Sequence, residues 1–151
     1  MASDRLAQAF ERAKAEHRAA LILYVVVGHP TVQTTLDLIP ALLKAGADVI
    51  ELGVPFSDPI ADGPVIQEAG FHALRNGVTS HTCIDVAARL RKHGVSAPLL
   101  LMGYYNPILA YGLDAWARAA KAAGVDGAIV PDLPPDEAAP LRTVLVAHGC
   151  T

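Results

Sequence analysis

Three carboxylates lie within one short segment of the chain, residues 51–64, which is its densest concentration of chemically useful side chains. The segment runs Glu51-Leu-Gly-Val-Pro-Phe-Ser-Asp-Pro-Ile-Ala-Asp-Gly-Pro64. Its prolines and glycines predict a rigid, irregular loop. A carboxyl group such as Glu51, close to the end of a predicted buried strand, is kept from water and holds its proton more readily. Such a group can donate and accept a proton during a reaction.

The residues alone leave the role of each carboxylate open. Glu51 is equally well explained as the buried partner of a structural arginine or lysine. Asp58 and Asp62 precede proline and glycine, where aspartate commonly caps a turn or the start of a helix. The position of Glu51 near a strand end favours catalysis, because the loops at that end carry the chemistry of many parallel α/β folds.

Two later loops also carry side chains that could bind a ligand. Tyr104 and Tyr105 can stack on a flat molecule or simply pack against the core, and Asp132 follows the end of the last predicted strand. The six histidines show no spacing typical of metal ligands, and we predict no metal site. No GxGxxG, GxxxxGK(S/T) or GxSxG motif occurs, so the sequence indicates neither a nucleotide-binding fold nor a serine nucleophile.

These side chains depend on an alternating arrangement of strands and helices. Four apolar runs have the character of strands buried on both faces, as in parallel sheets. We predict them at residues 21–27, 48–53, 97–103 and 127–131. Helical periodicity predicts helices at residues 4–17 and 31–45, and Pro40 weakens the case for a straight second helix. We expect the first helix to cover one end of the core.

A block of sequence repeats along the chain and supports this alternation. Gly46-Ala-Asp48 and Gly124-Val-Asp126 each combine a glycine stop with an aspartate just before a predicted strand. Gly94 and Gly149 mark two further helix ends. Strands that alternate with helices through short turns indicate a parallel α/β sheet.

Two architectures of this class fit the four strands equally well. One is a small open sheet, which places ligand chemistry at a switch point in the strand order. The other is a (β/α)8 TIM barrel, in which residues 1–151 form a single domain made of an N-terminal helix and the first four βα units. A full barrel needs about 250 residues, so we expect a barrel here to lack its second half and to expose two strand edges.

Composition excludes several classes of protein. The chain carries 12 basic and 15 acidic residues, a formal net charge of −3, so we expect neither nucleic acid nor an anionic membrane as partner. Its longest apolar run, residues 21–27, is far shorter than the about 20 residues of a membrane span. The N-terminus lacks the apolar stretch of a secretory signal. Cys83 and Cys150 form neither a disulfide framework nor a metal knuckle, and we expect a cytoplasmic protein with reduced thiols.

The segment at residues 51–64 closely resembles the signature of the tryptophan synthase alpha chain family. Several flanking segments agree with the same family. They are Gly28-His-Pro30, Ala45-Gly-Ala-Asp48, Ile66-Gln67, Leu101-Met-Gly-Tyr-Tyr-Asn-Pro107 and Val130-Pro-Asp-Leu-Pro134. Together these segments extend the resemblance over nearly the whole chain.

This resemblance implies a (β/α)8 barrel that cleaves indole-3-glycerol phosphate to indole and glyceraldehyde 3-phosphate without a cofactor of its own. It also implies a partner, the tryptophan synthase beta chain, which uses pyridoxal phosphate to join indole to serine in an α2β2 heterotetramer. The catalytic carboxylates of the family fall on Glu51 and Asp62. The positions expected to contact substrate are Tyr24, Ile66, Met102, Tyr104 and Asp132. Those expected near the beta chain are Pro55, Asp58, Pro59, Asn106, Pro107 and Pro134.

The chemistry of that reaction fits the two carboxylates. Breaking the carbon–carbon bond requires a proton at ring carbon 3, removal of a proton from the neighbouring hydroxyl, and an anion near the ring N–H. We expect Glu51 to shuttle the proton and Asp62 to accept the N–H in a hydrogen bond that strengthens in the transition state. We expect residues 1–151 to lack the phosphate-binding loops that follow strands 7 and 8 of such barrels, and so to be inactive alone.

Two other functions stay open on the sequence. One is a stand-alone lyase that releases indole without a beta partner. The intact segment 56–62 speaks against it, because this segment resembles the family's mobile loop that signals to that partner. The other is a non-catalytic half-barrel that only binds a beta chain. A mere interface has no use for a buried Glu51, which favours catalysis over this second alternative.

Overall fold

The computed structural model describes residues 5–151, and four parallel strands form its sheet. The strands are β1 (Ile22–Val26), β2 (Val49–Gly53), β3 (Leu99–Met102) and β4 (Gly127–Ile129). The helices are α1 (Arg5–Ala15), α2 (Val32–Lys44), α3 (Pro64–Arg75), α4 (Ser80–Lys92), α5 (Tyr105–Tyr111), α6 (Leu113–Ala122) and α7 (Ala139–Ala147), with a short 3-10 helix at Pro135–Glu137. No helix among residues 5–151 is long and apolar enough to cross a membrane.

All four predicted strands are confirmed, each slightly shorter than its apolar run. Both predicted helices are confirmed as α1 and α2, although residue 4 lies outside the described residues, and α2 continues through Pro40. Sequence periodicity did not reveal that two helices, not one, connect β2 to β3 and again β3 to β4. The breaks fall at Gly77 and Gly112, whose positive φ angles of 77° and 91° end the preceding helices.

The order of the strands decides between the two predicted architectures. Each strand pairs in parallel with its successor, in the order β1-β2-β3-β4. A doubly wound open sheet reverses its strand order at a switch point, whereas a (β/α)8 barrel adds each new strand on the same side. Beyond β4, the Thr151 carbonyl already accepts the Ala128 N–H at 2.9 Å. The described sheet therefore has the topology of the first four βα units of a barrel.

The two faces of the sheet are covered differently. Ile50 and Leu52 belong to a continuous core formed with the flanking helices. On the opposite face, Val49 packs with Ala9 of α1, which confirms that α1 covers one end of the core. Glu51 shares this second face with Val49, because side chains alternate along a strand.

Two buried aspartates tie the starts of neighbouring strands together, and they are the aspartates of the repeated block. Just before β2, the Asp48 carboxylate accepts the Leu21 N–H at 2.8 Å and two guanidinium N–H groups of Arg18 at 2.6 and 2.8 Å. The Asp48 N–H in turn donates to the Leu21 carbonyl at 2.8 Å. This reciprocal pair of contacts fixes where β1 and β2 begin relative to each other.

Asp126 repeats the same arrangement just before β4. Its carboxylate accepts the Leu99 N–H at 2.9 Å, and its own N–H donates to the Leu99 carbonyl at 2.9 Å. Arg91 and Arg5 donate to the carboxylate at 2.6 and 2.7 Å. We call the contacts of Asp48 and Asp126 the aspartate latches. The repeat in the sequence is thus a repeat of a structural device.

Asp48→Asn should destabilise the fold by about 2 kcal/mol, because it removes the charge from a buried carboxylate that accepts three hydrogen bonds, two of them from the partly exposed Arg18. Glu16→Gln is the matched control, since it removes the other, exposed partner of the same Arg18. An exposed pair contributes less than about 1 kcal/mol, so this variant should change stability little. Urea denaturation at about pH 7 measures both, and equal losses would show that the latch does not hold the strands.

The same latch predicts a stability that depends on pH. Hydrogen bonds from Arg18 and from the Leu21 N–H lower the pKa of Asp48 from 3.8 to about 2. The unfolded chain takes up this proton at a higher pH than the folded chain. The contribution of Asp48 is therefore complete above about pH 4 and disappears as the pH falls through about 2. The urea stability gap between wild type and Asp48→Asn should shrink over that window, and a constant gap would contradict the linkage.

Candidate active site

The predicted catalytic and pocket residues belong to elements that converge toward the edge of the sheet where the strands end. They are Tyr24 on β1, Glu51 on β2, Met102 at the end of β3, Tyr104 before α5, Asp62 before α3 and Ile66 within it. Tyr24 and Glu51 are paired residues in the parallel register. Positions far apart in the chain come together because parallel strands bring all their carboxyl ends to one edge.

Tyr24 lies across the end of β2. A Cβ atom added to Gly53 would collide with the hydroxyl and ring atoms of Tyr24, so only glycine lets the phenol cross the strand. The ring thereby reaches from β1 into the same cleft as Asp62. Gly53 is a position of the site that sequence reasoning missed. A glycine inside a strand, which often marks a close approach, is the signal that could have found it.

A set of hydrogen bonds holds Asp62 against the start of α5. The buried Tyr104 hydroxyl donates to Asp62 Oδ2 at 3.0 Å and accepts the Ala61 N–H at 2.9 Å. The Gln67 side-chain amide donates to the Asp62 main-chain carbonyl at 2.9 Å. The Phe56 ring packs against the Tyr104 ring with centroids 5.3 Å apart. One tyrosine therefore contacts the loop near both of its ends.

Two small clefts surround this arrangement. The first has Tyr24, Ile66 and Asp62 in its wall. The second has Tyr24, Met102 and Asp62 in its wall. Aromatic and aliphatic side chains beside a single carboxylate suit the edge of a flat ring that offers one N–H donor. Glu51 is in the wall of neither cleft.

Electrostatics link the two carboxylates through Tyr24. Burial raises the pKa of the Tyr24 phenol above its usual range, and Asp62, Tyr104 and Glu51 add to the shift. Burial likewise raises the pKa of Tyr104, with a further contribution from its hydrogen bond to Asp62. Both phenols are therefore neutral donors at physiological pH. Tyr24 lies near both carboxylates, because Asp62 shares its cleft and Glu51 is its register partner.

Glu51 is less enclosed than its place in the strand predicts. Ile50 and Leu52, on either side of it, are fully buried, whereas Glu51 is half-buried. On this face the apolar cluster with α1 contains Val49 and Leu100 but not Glu51. The expectation of a dry carboxylate on a strand covered on both faces is wrong for the described residues.

Two larger hollows lie at the opposite end of the sheet. Both are open to solvent, and both include Gly94 and Ser96. The first also contains Arg5 and Arg91, but both arginines already donate to Asp126. Within residues 5–151, no group of three His, Cys, Asp or Glu side chains could hold a metal ion. The groups suited to proton chemistry therefore concentrate at the other end of the sheet.

Comparison with known proteins agrees with this geometry. A sequence profile of the tryptophan synthase alpha chain family matches residues 10–151. The chain belongs to the tryptophan synthase alpha chain family. The alpha chain of Roseiflexus castenholzii is 56% identical over 146 residues, and that of Chloroflexus aggregans is 53% identical over 145 residues. These alignments cover 97% and 96% of this chain but 56% and 54% of the relatives, so the chain spans about half of their length.

Solved structures of the family have the same fold. Tryptophan synthase subunit alpha from Legionella pneumophila superposes with a TM-score of 0.94 at 42% identity, covering 97% of this chain and 56% of that one. A chain of Mycobacterium tuberculosis tryptophan synthase, in its aminoacrylate- and BRD0059-bound form, superposes with a TM-score of 0.90 at 41% identity, covering 97% and 58%. The described fold is thus the first four βα units of a (β/α)8 TIM barrel, as the sequence resemblance implied.

Asp132, expected from the family resemblance to contact substrate, is engaged with α5. Its two carboxylate oxygens accept the Tyr105 N–H at 3.0 and 3.3 Å. Asp132 thereby caps the start of α5. The side chain of Tyr104, the residue just before the helix, makes no capping hydrogen bond itself. A contact between Asp132 and substrate stays a prediction.

The residues expected near a beta chain are mostly accessible in this member of the tryptophan synthase alpha chain family. Asp58, Asn106 and Pro134 are exposed, and Pro55 and Pro107 are half-buried. Pro59 is the exception, because it is buried within the chain. Next to it, Ile60 is 83% exposed and offers an apolar surface that sequence reasoning did not single out.

Gly53→Ala should weaken the binding of a flat ring at this site by about tenfold, because the new methyl group forces Tyr24 off the end of β2. Glu68→Ala is the matched control, since Glu68 is exposed on α3 and is in the wall of neither cleft. It should leave the affinity for the ring within about twofold of wild type. Calorimetric titration with indole measures the affinity, and equal values for wild type and Gly53→Ala would show that Tyr24 does not form the ring site.

Proposed function

We propose that this chain carries the catalytic carboxylates for cleavage of indole-3-glycerol phosphate to indole and glyceraldehyde 3-phosphate. The observation that carries the proposal is the position of Asp62. The Tyr104 hydroxyl donates to its carboxylate at 3.0 Å, in the wall of a cleft that also includes Tyr24, the register partner of Glu51. Membership of the tryptophan synthase alpha chain family supports the same reaction. The activity of the whole protein is part of the proposal, because the chain spans about half of its relatives.

The proposed reaction breaks the bond between ring carbon 3 of the indole and the first carbon of its side chain. A proton added at carbon 3 makes the ring an electron sink, and positive charge develops at the ring N–H. The hydroxyl on the first side-chain carbon loses its proton, its O–H electron pair forms the aldehyde C=O, and the carbon–carbon pair returns to the ring. One group must therefore exchange protons near carbon 3, and an anion must face the N–H.

We assign the proton exchange to Glu51 and the recognition of the N–H to Asp62. The Tyr104 hydroxyl donates a hydrogen bond to Oδ2 of Asp62. Oδ1 makes no hydrogen bond to any residue from 5 to 151, so Oδ1 can accept one from a ligand. The Glu51 carboxylate makes no hydrogen bond or ion pair within the same range. A carboxyl group without a fixed partner can serve two substrate atoms in turn.

The ring of the substrate would lie against side chains that are still partly accessible to solvent. Tyr24, Ile66 and Met102 are all half-buried at the edge of the sheet. Covering them with a flat apolar ring removes that area from water, which favours binding. The one polar atom of the indole ring would then meet Asp62, the one carboxylate in the walls of the two clefts.

We also propose that the whole protein acts with a tryptophan synthase beta chain in an α2β2 heterotetramer. The exposed Asp58 and Ile60 belong to the loop that carries Asp62, so a partner at this edge would touch the site directly. The pyridoxal phosphate belongs to that partner, and the chemistry assigned to this chain needs no cofactor of its own. Cys83 and Cys150 are buried free thiols, which suits the reducing cytoplasm, where we place the protein.

Joining residues 1–151 to the remaining part of the Roseiflexus castenholzii alpha chain tests the proposal in an intact barrel. In that chimera, Glu51→Gln and Asp62→Asn should each lower kcat for indole release by about 10²–10⁴-fold, because each removes a proton-transfer or charge-stabilising group. Glu68→Gln changes an exposed carboxylate on α3 and should leave kcat within about twofold. Turnover by the Glu51→Gln chimera close to the unmodified rate would overturn the assignment.

A further inference from the structure

We propose that Tyr104 is a positioning residue for this reaction, and that its hydroxyl orients Asp62 so that one carboxylate oxygen faces the ring N–H. The inference rests on the proposed function, because recognition of the N–H by Asp62 is part of it. A tyrosine that only lines the pocket needs its aromatic ring but not its hydroxyl, so this role is additional to lining the pocket. The hydroxyl is a separate feature with two partners of its own.

The first argument is the geometry of the hydroxyl. It accepts the Ala61 N–H at 2.9 Å and donates to Asp62 Oδ2 at 3.0 Å, so it bridges two consecutive residues of one loop. The terminal torsion of an aspartate is broad and roughly two-fold, and the side chain by itself does not choose between its two oxygens. A donor bound to Oδ2 makes that choice and leaves Oδ1 for a ligand.

The second argument is that no other group does this work. Within residues 5–151, the Asp62 side chain has no hydrogen bond except the one from Tyr104. The other contacts of Asp62 are made by its main chain: its N–H donates to the Pro59 carbonyl at 3.1 Å, and its carbonyl accepts from Gln67 at 2.9 Å. Without the hydroxyl, the Asp62 carboxylate would lose its orientation and the Ala61 N–H its acceptor, while the main-chain contacts of Asp62 would remain.

The third argument is that the hydroxyl stands on a rigid support. Tyr104 is 4% exposed, and its ring packs against Phe56. The following residue, Tyr105, is held through its N–H by Asp132 from the loop after β4. The position of the hydroxyl is thus set by elements outside the loop that it holds. Burial and Asp62 keep the pKa of Tyr104 above its usual range, so the hydroxyl remains a donor.

Tyr104→Phe tests the hydroxyl alone, because it keeps the ring. Tyr105→Phe is the matched control, since the neighbouring hydroxyl makes no hydrogen bond to any described residue. Each chain is titrated with indole and with benzofuran, a ring of the same shape in which oxygen replaces the N–H. Wild type and Tyr105→Phe should prefer indole by about tenfold. In Tyr104→Phe the preference should fall to about twofold or less, with benzofuran affinity within about twofold of wild type.

Three results would overturn the inference. A Tyr104→Phe chain that keeps the tenfold preference would show that the hydroxyl does not orient Asp62, and the proposed function would stand. An equal loss of affinity for both rings would show that Tyr104 only supports the pocket. A wild-type chain without any preference for indole would overturn the role of Asp62 itself, and with it both proposals.

The Ala61 amide gives a second measurement that needs no ligand. Ala61 lies in an exposed part of the loop, and its N–H donates to the Tyr104 hydroxyl. In wild type its hydrogen exchange should be at least about tenfold slower than that of an unstructured amide. Protection should be lost in Tyr104→Phe and kept in Tyr105→Phe. An unprotected Ala61 in wild type would overturn the inference, because the hydroxyl would not then hold the loop.

Discussion

The site depends on the register between β1 and β2, and that register is set at the opposite end of the strands. The Asp48 carboxylate accepts the Leu21 N–H at 2.8 Å, and the Asp48 N–H donates to the Leu21 carbonyl at the same distance. This exchange places Tyr24 opposite Glu51 further along the strands. A slip of one residue would turn Glu51 to the helix-covered face, because side chains alternate with a period of two.

The second latch supports the other carboxylate by a longer route. Asp126 aligns β4 with β3, and the loop that follows β4 carries Asp132. Asp132 holds the N–H of Tyr105, and the adjacent Tyr104 holds Asp62. Buried charge at the strand starts is thus linked through the sheet to the orientation of a side chain at the strand ends. Stability and chemistry occupy opposite ends of the same four strands, as is usual for this architecture.

Sequence patterns were most reliable where a single element decides the outcome. The four predicted strands are present, and the glycine stops correctly marked helix ends. The patterns carried less information where two elements meet. The structure shows Asp132, in the loop after β4, capping α5, a contact between residues 27 positions apart in the chain. The half-buried state of Glu51 likewise depends on what packs over the sheet and not on the strand itself.

The sequence by itself determined the class of fold and the four strands, and it singled out the two candidate carboxylates. These follow from hydrophobic periodicity, glycine stops and one distinctive segment, all of which act within a few residues along the chain. Only the tertiary structure decided between an open sheet and a barrel topology, and only it decided which oxygen of Asp62 is free. It also showed that Gly53 leaves room for the Tyr24 ring, and that the repeated aspartates join the starts of neighbouring strands. Each of these outcomes is a contact between distant parts of the chain, and local periodicity carries no information about which distant groups will meet.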